Sequence, residues 1–323
     1  MEKVGHILRQ KQRTYSFEFF PPKTPQGLQK FWENASRLAS LKPDWFSVTY
    51  GAGGSTRDLT TDLVDRIQQR FHIPAIHHLT CIGHTEVELR TKISEMKSRN
   101  ICNVLALRGD IPQGVDQKTY FMGDYQYTYQ LVKLLREQGD YFSIGIAGFP
   151  EGHINCPDKE TDAQYLKIKV NAGADFAVTQ FFLDNADYFQ YVARLRRLGV
   201  EVKIIPGILP ITDYQSLVNF CTTCGANIPQ QVHDIFRPLE GNPKALYEAG
   251  LSFALDQCSE LLEKGAPGLH FYTLNKAEPT CEIVNRLLNG NYQWIWSRGF
   301  TTGCDWYTII VKTKEKRNQF TMS

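Results

Sequence analysis

Phe142-Ser143-Ile144-Gly145-Ile146-Ala147-Gly148-Phe149 and, further on, Phe176-Ala177-Val178-Thr179-Gln180-Phe181-Phe182 flank a segment where Tyr165, Ile168 and Ala172 recur at helical spacing before Gly173. Both flanking runs are short and nearly continuous in apolar residues, as strands covered on both faces tend to be. The spacing between them predicts a helix with one apolar stripe that stops at the glycine. Two strands joined by a helical crossover of this length pair in parallel.

The same unit repeats in both directions. Further strand-like runs are Tyr15–Phe20, Trp45–Tyr50, Ala75–Cys81, Val104–Asp110, Lys203–Leu209 and Leu269–Leu274. Leu59, Leu63, Val64 and Ile67 form another helical stripe, and Leu131, Leu134 and Leu135 belong to a third. Eight strand–helix units predict a closed (β/α)8 TIM barrel; a doubly wound open sheet fits the alternation less well. The longest interval precedes the last strand and predicts several extra helices between Asp213 and Leu262. Residues 1–288 read as one barrel domain. Residues 289–323 carry Trp294, Trp296, Trp306 and the basic stretch Lys312-Thr313-Lys314-Glu315-Lys316-Arg317, and read as an extension too short for a core of its own.

Composition narrows the function classes. Thirty-six basic residues against 34 acidic leave a net charge of +2, which is no footprint for a sequence-independent nucleic-acid binder. No apolar run is long enough for a membrane span, and Met1–Gln10 lacks the apolar centre of a signal peptide. The eight cysteines are scattered, which predicts reduced thiols and a cytoplasmic protein. Cys221 and Cys224 have CxxC spacing, yet no second pair follows to complete a zinc site; they read as half-buried thiols in the helical insert.

Chemistry in such barrels gathers where strands end at the C-terminal rim. Glu18 stands in the first strand among Phe17, Phe19 and Phe20. Desolvation there would raise its pKa and suit it to general-acid work, while pairing with an Arg or Lys of another strand would make it structural; both readings stand. Asp110, after Arg108-Gly109, fits either a site carboxylate or a helix cap. His77, His78 and His153 raise the question of a metal, but adjacent strand residues face opposite ways, so only one of the first two can face the barrel interior. Gly51-Ala52-Gly53-Gly54 allows close approach to a ligand without matching a nucleotide fingerprint.

The strand ends resemble the methylenetetrahydrofolate reductase family. The strings that carry the resemblance are Ser16-Phe17-Glu18-Phe19-Phe20-Pro21-Pro22, Val48-Thr49-Tyr50-Gly51-Ala52, His78-Leu79-Thr80-Cys81, Ala106-Leu107-Arg108-Gly109-Asp110, Thr179-Gln180-Phe181-Phe182, Ile205-Pro206-Gly207-Ile208-Leu209-Pro210 and His270-Phe271-Tyr272-Thr273-Leu274-Asn275. They occur in the family's order over roughly residues 14–288.

The resemblance implies an FAD-containing barrel that reduces 5,10-methylenetetrahydrofolate to 5-methyltetrahydrofolate, with NADH or NADPH as hydride donor. It implies catalytic roles for Glu18, as general acid, and for Asp110, beside flavin and folate. Thr49, Tyr50, Ala52, His78, Arg108, Gly109, Asp110, Tyr127, His153, Asp162 and Lys169 fall on FAD-binding positions, with Arg108 and Lys169 suited to the pyrophosphate. Gln180, Tyr214, Tyr272 and Lys276 fall on substrate positions, and no metal is implied. Tyr214 stands where some bacterial members have Phe, Phe149 replaces a frequent Tyr, and Lys276 replaces a frequent Arg. The resemblance further implies a homo-oligomer, dimer or tetramer, with folate as small-molecule partner and neither nucleic acid nor membrane. It also implies no inhibition by S-adenosylmethionine, since only a short extension follows the barrel. Two rival readings are a metal-dependent TIM-barrel hydrolase using His77, His78, His153 and Asp110, and a reductase-like subunit docking to an electron-carrier complex.

Overall fold

The computed structural model describes residues 1–50, 57–111, 114 and 120–289. The expectations for Ala52, for the Gly51–Gly54 run and for the tryptophan-bearing extension beyond residue 289 lie outside these residues.

Helix α1 (Val4–Gln10) comes first. Eight strands follow: β1 (Thr14–Phe19), β2 (Trp45–Val48), β3 (Ala75–Thr80), β4 (Asn103–Leu107), β5 (Ser143–Gly148), β6 (Phe176–Phe181), β7 (Lys203–Ile208) and β8 (Gly268–Tyr272). They pair in chain order and close into a barrel by the parallel pairing of β8 with β1. The helices between them are α2 (Pro25–Ala39), α3 (Arg57–Phe71), α4 (Glu86–Ser98), α5 (Thr128–Arg136), α6 (Lys159–Asn171) and α7 (Asn185–Arg197). The insert before β8 holds α8 (Tyr214–Cys224), α9 (Gln230–Phe236), a 3-10 turn (Arg237–Leu239) and α10 (Pro243–Glu263); α11 (Thr280–Leu288) follows β8. The chain is thus the predicted TIM barrel with additional helices before its last strand. Every strand ends one to three residues before its predicted end, β4 by the most, at Leu107 rather than Asp110.

Local chemistry accounts for the helix starts. Thr85 and Glu88 form a reciprocal capping box on α4, and Asp158 and Asp213 accept the backbone N–H groups of Thr161 and Ser216 at the starts of α6 and α8. Helix α6 corrects one expectation. Tyr165 and Ile168 are 55% and 44% exposed, and the helix turns Asp162, Ala163 and Leu166 inward instead. Apolar residues line both faces of α6, so spacing alone could not choose between them; the small Ala163 lets the helix sit close to the sheet.

Alternation along the strands divides the core in two. Phe17, Phe19, Phe46 and Phe271 point outward and are packed between sheet and helices, with Phe19 5.0 Å from the Phe31 ring of α2. Each such ring removed from water contributes roughly 1.5–3 kcal/mol. Inside, Val4 and Leu8 of α1 pack with Trp45, Ile76, Leu105, Phe176, Val178 and Ile205 to form an apolar floor. Helix α1 lacks a side-chain cap of its own. Its first amides are satisfied by the barrel, Val4 N–H by Asn103 Oδ1 and Gly5 N–H by Ser143 Oγ, each at 2.8 Å. Above this floor the inward positions turn polar.

Candidate active site

Period-two alternation that buries Phe17 and Phe19 outside the barrel turns Glu18 inside it. Strand register puts Glu18 beside Ser47 on β2 and Tyr272 on β8, and Ser16 beside His270. The Glu18 side chain is 14% exposed. Its Oε2 accepts Ser47 Oγ–H at 3.1 Å and lies 3.2 Å from His270 Nε2 and 3.3 Å from His78 Nε2. Both imidazoles have a serine as well: His270 Nδ1 is 2.8 Å from Ser16 Oγ, and His78 Nε2 is 2.8 Å from Ser47 Oγ.

This cluster corrects the expected electrostatics of Glu18. Burial pushes its carboxyl up, but the His78 and His270 imidazoles outweigh burial and hold it well below the usual carboxylate range. The partners are two histidines and a serine rather than the Arg or Lys that the structural reading required.

Beside Glu18, Tyr272 reaches over β7 and donates its hydroxyl to the Thr179 carbonyl of β6 at 2.6 Å. Burial, then the nearby Glu18 charge, push its phenol well above the usual value, so it remains a donor. Gly207 makes this crossing possible: a Cβ there would stand 2.3 Å from Thr179 O and 2.6 Å from the Tyr272 ring. The Gly207 N–H is bound by Thr179 Oγ1 at 2.9 Å, which fixes the β6–β7 edge of the site.

A second polar corner forms where β4 and β5 end. Gly109 has φ +88, and a Cβ would lie 2.8 Å from Thr80 Cβ, so the turn carrying Arg108 and Asp110 demands glycine. Arg108 Nε donates to the Gln126 carbonyl at 3.2 Å, and Asp110 is exposed at the lip. Lys169 of α6 donates to the Ala147 carbonyl at 2.7 Å, and burial lowers its pKa to about 8 against the pull of Asp162. Asp162 is buried and its carboxyl is pushed up by burial, although the Lys169 charge and the His153 backbone N–H oppose this. His153 stands edge-on to Phe149 at 4.7 Å, and burial lowers its pKa while Asp162 and Asp110 act against it. The Lys169 ammonium and the Arg108 guanidinium both act on His153, and two such cations with a turn without Cβ are a donor set suited to a pyrophosphate.

The remaining expected residues are distributed around these two corners. Thr49 donates its N–H to Phe19 O at 2.8 Å, and Tyr50 bonds His84 Nε2 through its hydroxyl at 3.2 Å. Tyr127 is exposed and stacked on Tyr129. Gln180 accepts the Phe181 N–H through Oε1 at 3.0 Å and lines a narrow cleft with Phe149, Glu151 and Cys224. Tyr214 is 7% exposed in a satellite core of the helical insert, its hydroxyl 2.5 Å from His233 Nδ1. Lys276 is exposed, with Asp213 in its field. Cys221 is buried and Cys224 half-buried on α8.

The four residues of the hydrolase reading are not brought together. His77 faces outward, where its Nε2 meets Thr61 Oγ1 of α3 at 3.1 Å, and His78 faces inward to Glu18. Among the described residues, no group of three or more His, Cys, Asp or Glu side chains is placed to hold a metal ion. Sequence reasoning also missed Ser16, Ser47 and His270 as members of the Glu18 cluster. Their signal was present: each is a polar residue at an inward position of an otherwise apolar strand.

A family model described as methylenetetrahydrofolate reductase matches residues 3–288. The chain is 38% identical over 278 residues to the 5,10-methylenetetrahydrofolate reductase of Escherichia coli, covering 86% of this chain and 92% of that protein. It is 37% identical over 297 residues to methylenetetrahydrofolate reductase (NADH) 1 of Arabidopsis thaliana, covering 89% of this chain and 50% of that protein. The chain therefore spans about half the length of the plant relatives it matches. Among solved structures, an uncharacterized Clostridium thermocellum protein that binds two copies of 5-methyl-5,6,7,8-tetrahydrofolic acid shares the fold, with a TM-score of 0.60 at 14% identity over 88% of this chain and 98% of that one.

Proposed function

The chain belongs to the methylenetetrahydrofolate reductase family, and from that premise we propose that it reduces 5,10-methylenetetrahydrofolate to 5-methyltetrahydrofolate, with NADH or NADPH as donor and FAD as carrier. The observation that carries this reading is the inward Glu18 carboxyl, held by two imidazoles above an apolar floor and still partly exposed. The reaction consumes one hydride and one proton, and Glu18 is the group that passes the proton to the folate.

Arg108 and Lys169 would hold the FAD pyrophosphate. Thr49, Tyr50, His78, Gly109, Asp110, Tyr127, His153 and Asp162 would line the cofactor, and Gln180, Tyr214, Tyr272 and Lys276 the folate. When bound, FAD supplies the two-electron relay from nicotinamide to the methylene carbon of the folate.

The protein's own part is proton handling and charge placement. With the mouth open, Glu18 is held ionised by its imidazole neighbours. A folate ring over the mouth excludes water, which raises the proton affinity of the carboxyl and draws a proton onto it. Glu18 then protonates the folate nitrogen, the imidazolidine ring opens, and the iminium cation forms. Asp110, at the lip, faces that positive charge and stabilises it.

The test is anaerobic stopped-flow on the purified protein, with each nicotinamide in turn and then with the folate. The reading expects a yellow protein whose flavin band bleaches with NADH or NADPH and returns with 5,10-methylenetetrahydrofolate. A protein without flavin overturns it, and one that holds flavin but ignores both nicotinamides favours the electron-carrier subunit instead.

A further inference from the structure

We propose that Ser47 and His78 are positioning residues that determine which oxygen of Glu18 delivers the proton, a role that rests on the reductase reading above. The contacts of the carboxyl are one-sided. Ser47 Oγ at 3.1 Å, His270 Nε2 at 3.2 Å and His78 Nε2 at 3.3 Å all converge on Oε2. Among the described residues, none hydrogen-bonds Oε1.

A carboxylate oxygen offers about two lone-pair sites. Two donors, Ser47 Oγ–H and His270 Nε2–H, fill Oε2, with the His78 ring close by, so a proton arriving on the carboxyl settles on the unbonded Oε1. The two arms come from opposite neighbours of β1. Ser16 and His270 approach along the β8 edge, and Ser47 and His78 from β2 and β3. Neither arm alone fixes the rotation of the carboxyl; together they do.

The serine decides the tautomer. Ser47 has one proton, and it lies 2.8 Å from His78 Nε2 and 3.1 Å from Glu18 Oε2. Both contacts are satisfied when His78 Nε2–H donates to Ser47 Oγ and Ser47 Oγ–H donates to the carboxylate. A bare His78 Nε2 would turn the hydroxyl away and leave Oε2 to His270. The titratable groups beside Glu18 are His78 on β3 and His270 and Tyr272 on β8; Tyr272 remains neutral, so the donors at Oε2 control the carboxyl.

The experiment uses the purified full chain with Ser47→Ala, Ser47→Thr and Glu18→Gln. One readout is the pH profile of folate reduction by pre-reduced enzyme. The other is the pH midpoint of the protonated-carboxyl infrared band of Glu18 without folate, identified by its loss in Glu18→Gln. Ser47→Ala should lower the plateau rate on the order of tenfold through misplacement of the acid. It should also move both midpoints upward by about one unit, the effect of losing one charge-assisted bond to the carboxylate. Ser47→Thr, which keeps the hydroxyl, should restore both.

A slower Ser47→Ala enzyme with unmoved midpoints, or midpoints moved downward, overturns the proposal. If Ser47→Ala fails to fold, His78→Phe removes the same arm and must give the same upward shift. Folate reduction surviving at full rate in Glu18→Gln would sink the acid role of Glu18 and this proposal with it, whereas an unaltered chain that reduces no folate would sink the reductase reading instead.

Discussion

His270 touches Glu18 through Nε2 at 3.2 Å while its other nitrogen lies 2.8 Å from Ser16, so a single imidazole links a hydroxyl to the inward carboxyl. That contact helps keep Glu18 ionised in a place where burial alone would neutralise it. Replacing His270 with Phe removes a group that favours the charged form, so the pKa of Glu18 rises. The alkaline limb of folate reduction should move to higher pH, with a plateau about 10- to 100-fold lower. A pH–rate profile of the folate half-reaction checks both.

Glu18→Gln preserves shape and removes the exchangeable proton. Folate reduction should fall by about 10²–10⁴-fold, the usual contribution of a positioned acid. Reduction of the flavin by nicotinamide needs no such proton and should keep most of its rate. Stopped-flow measurement of the two half-reactions separates them; equal losses would make Glu18 a structural residue.

Gly207→Ala would place a methyl group 2.3 Å from the Thr179 carbonyl and 2.6 Å from the Tyr272 ring. The Tyr272–Thr179 bond has to break or the β6–β7 edge has to move. Thermal denaturation should register a loss of about 1–3 kcal/mol, as for other overpacked positions. The KM for folate should rise more than the KM for nicotinamide.

Lys169 has its pKa lowered by burial to about 8. An unfolded Lys keeps its proton to about 10.4, so below pH 8 the native state carries the full cost of a buried ammonium. Between those values the unfolded state binds more protons, and native stability rises with pH. Lys169→Met should therefore stabilise the flavin-free protein at pH 7 by about 1–2 kcal/mol and weaken its hold on FAD. Melting curves of the apoprotein and flavin titrations measure the opposed effects.

His77, held neutral by burial, has a pKa lowered to about 3. The unfolded His takes its proton near pH 6.5, so stability contributed by the neutral ring is present above that value and is lost as pH falls toward 3. His77→Gln should flatten the decline of unfolding free energy between pH 6 and pH 4, by up to about 1.4 kcal/mol per pH unit. Urea denaturation across that range tests it.

The barrel was legible because strands covered on both faces leave apolar runs that no other element imitates at that length. The helical insert was legible from the interval before Leu269. Helix α6 was misread because Tyr165 and Ile168 on one side compete with Ala163 and Leu166 on the other, and only the sheet chooses. Glu18 stood out as a charge among phenylalanines, yet those rings lie on the far side of the strand. What governs its ionisation is His270, 252 residues away in the chain, and His78, brought close by strand register. The sign of a pKa shift depends on such cross-barrel neighbours, which strand-by-strand reading does not pair. The corner of Arg108, Gly109 and Lys169 was reachable only through the family resemblance, since its two cations come from different β/α units.

The short helix before β1 has a kinetic meaning. With Val4, Leu8, Trp45 and Phe176 sealing one end of the cylinder, Glu18 has a single doorway. On the proposed reaction, the spent nicotinamide must clear that threshold before a folate can cross it, so the two reactants queue rather than meet.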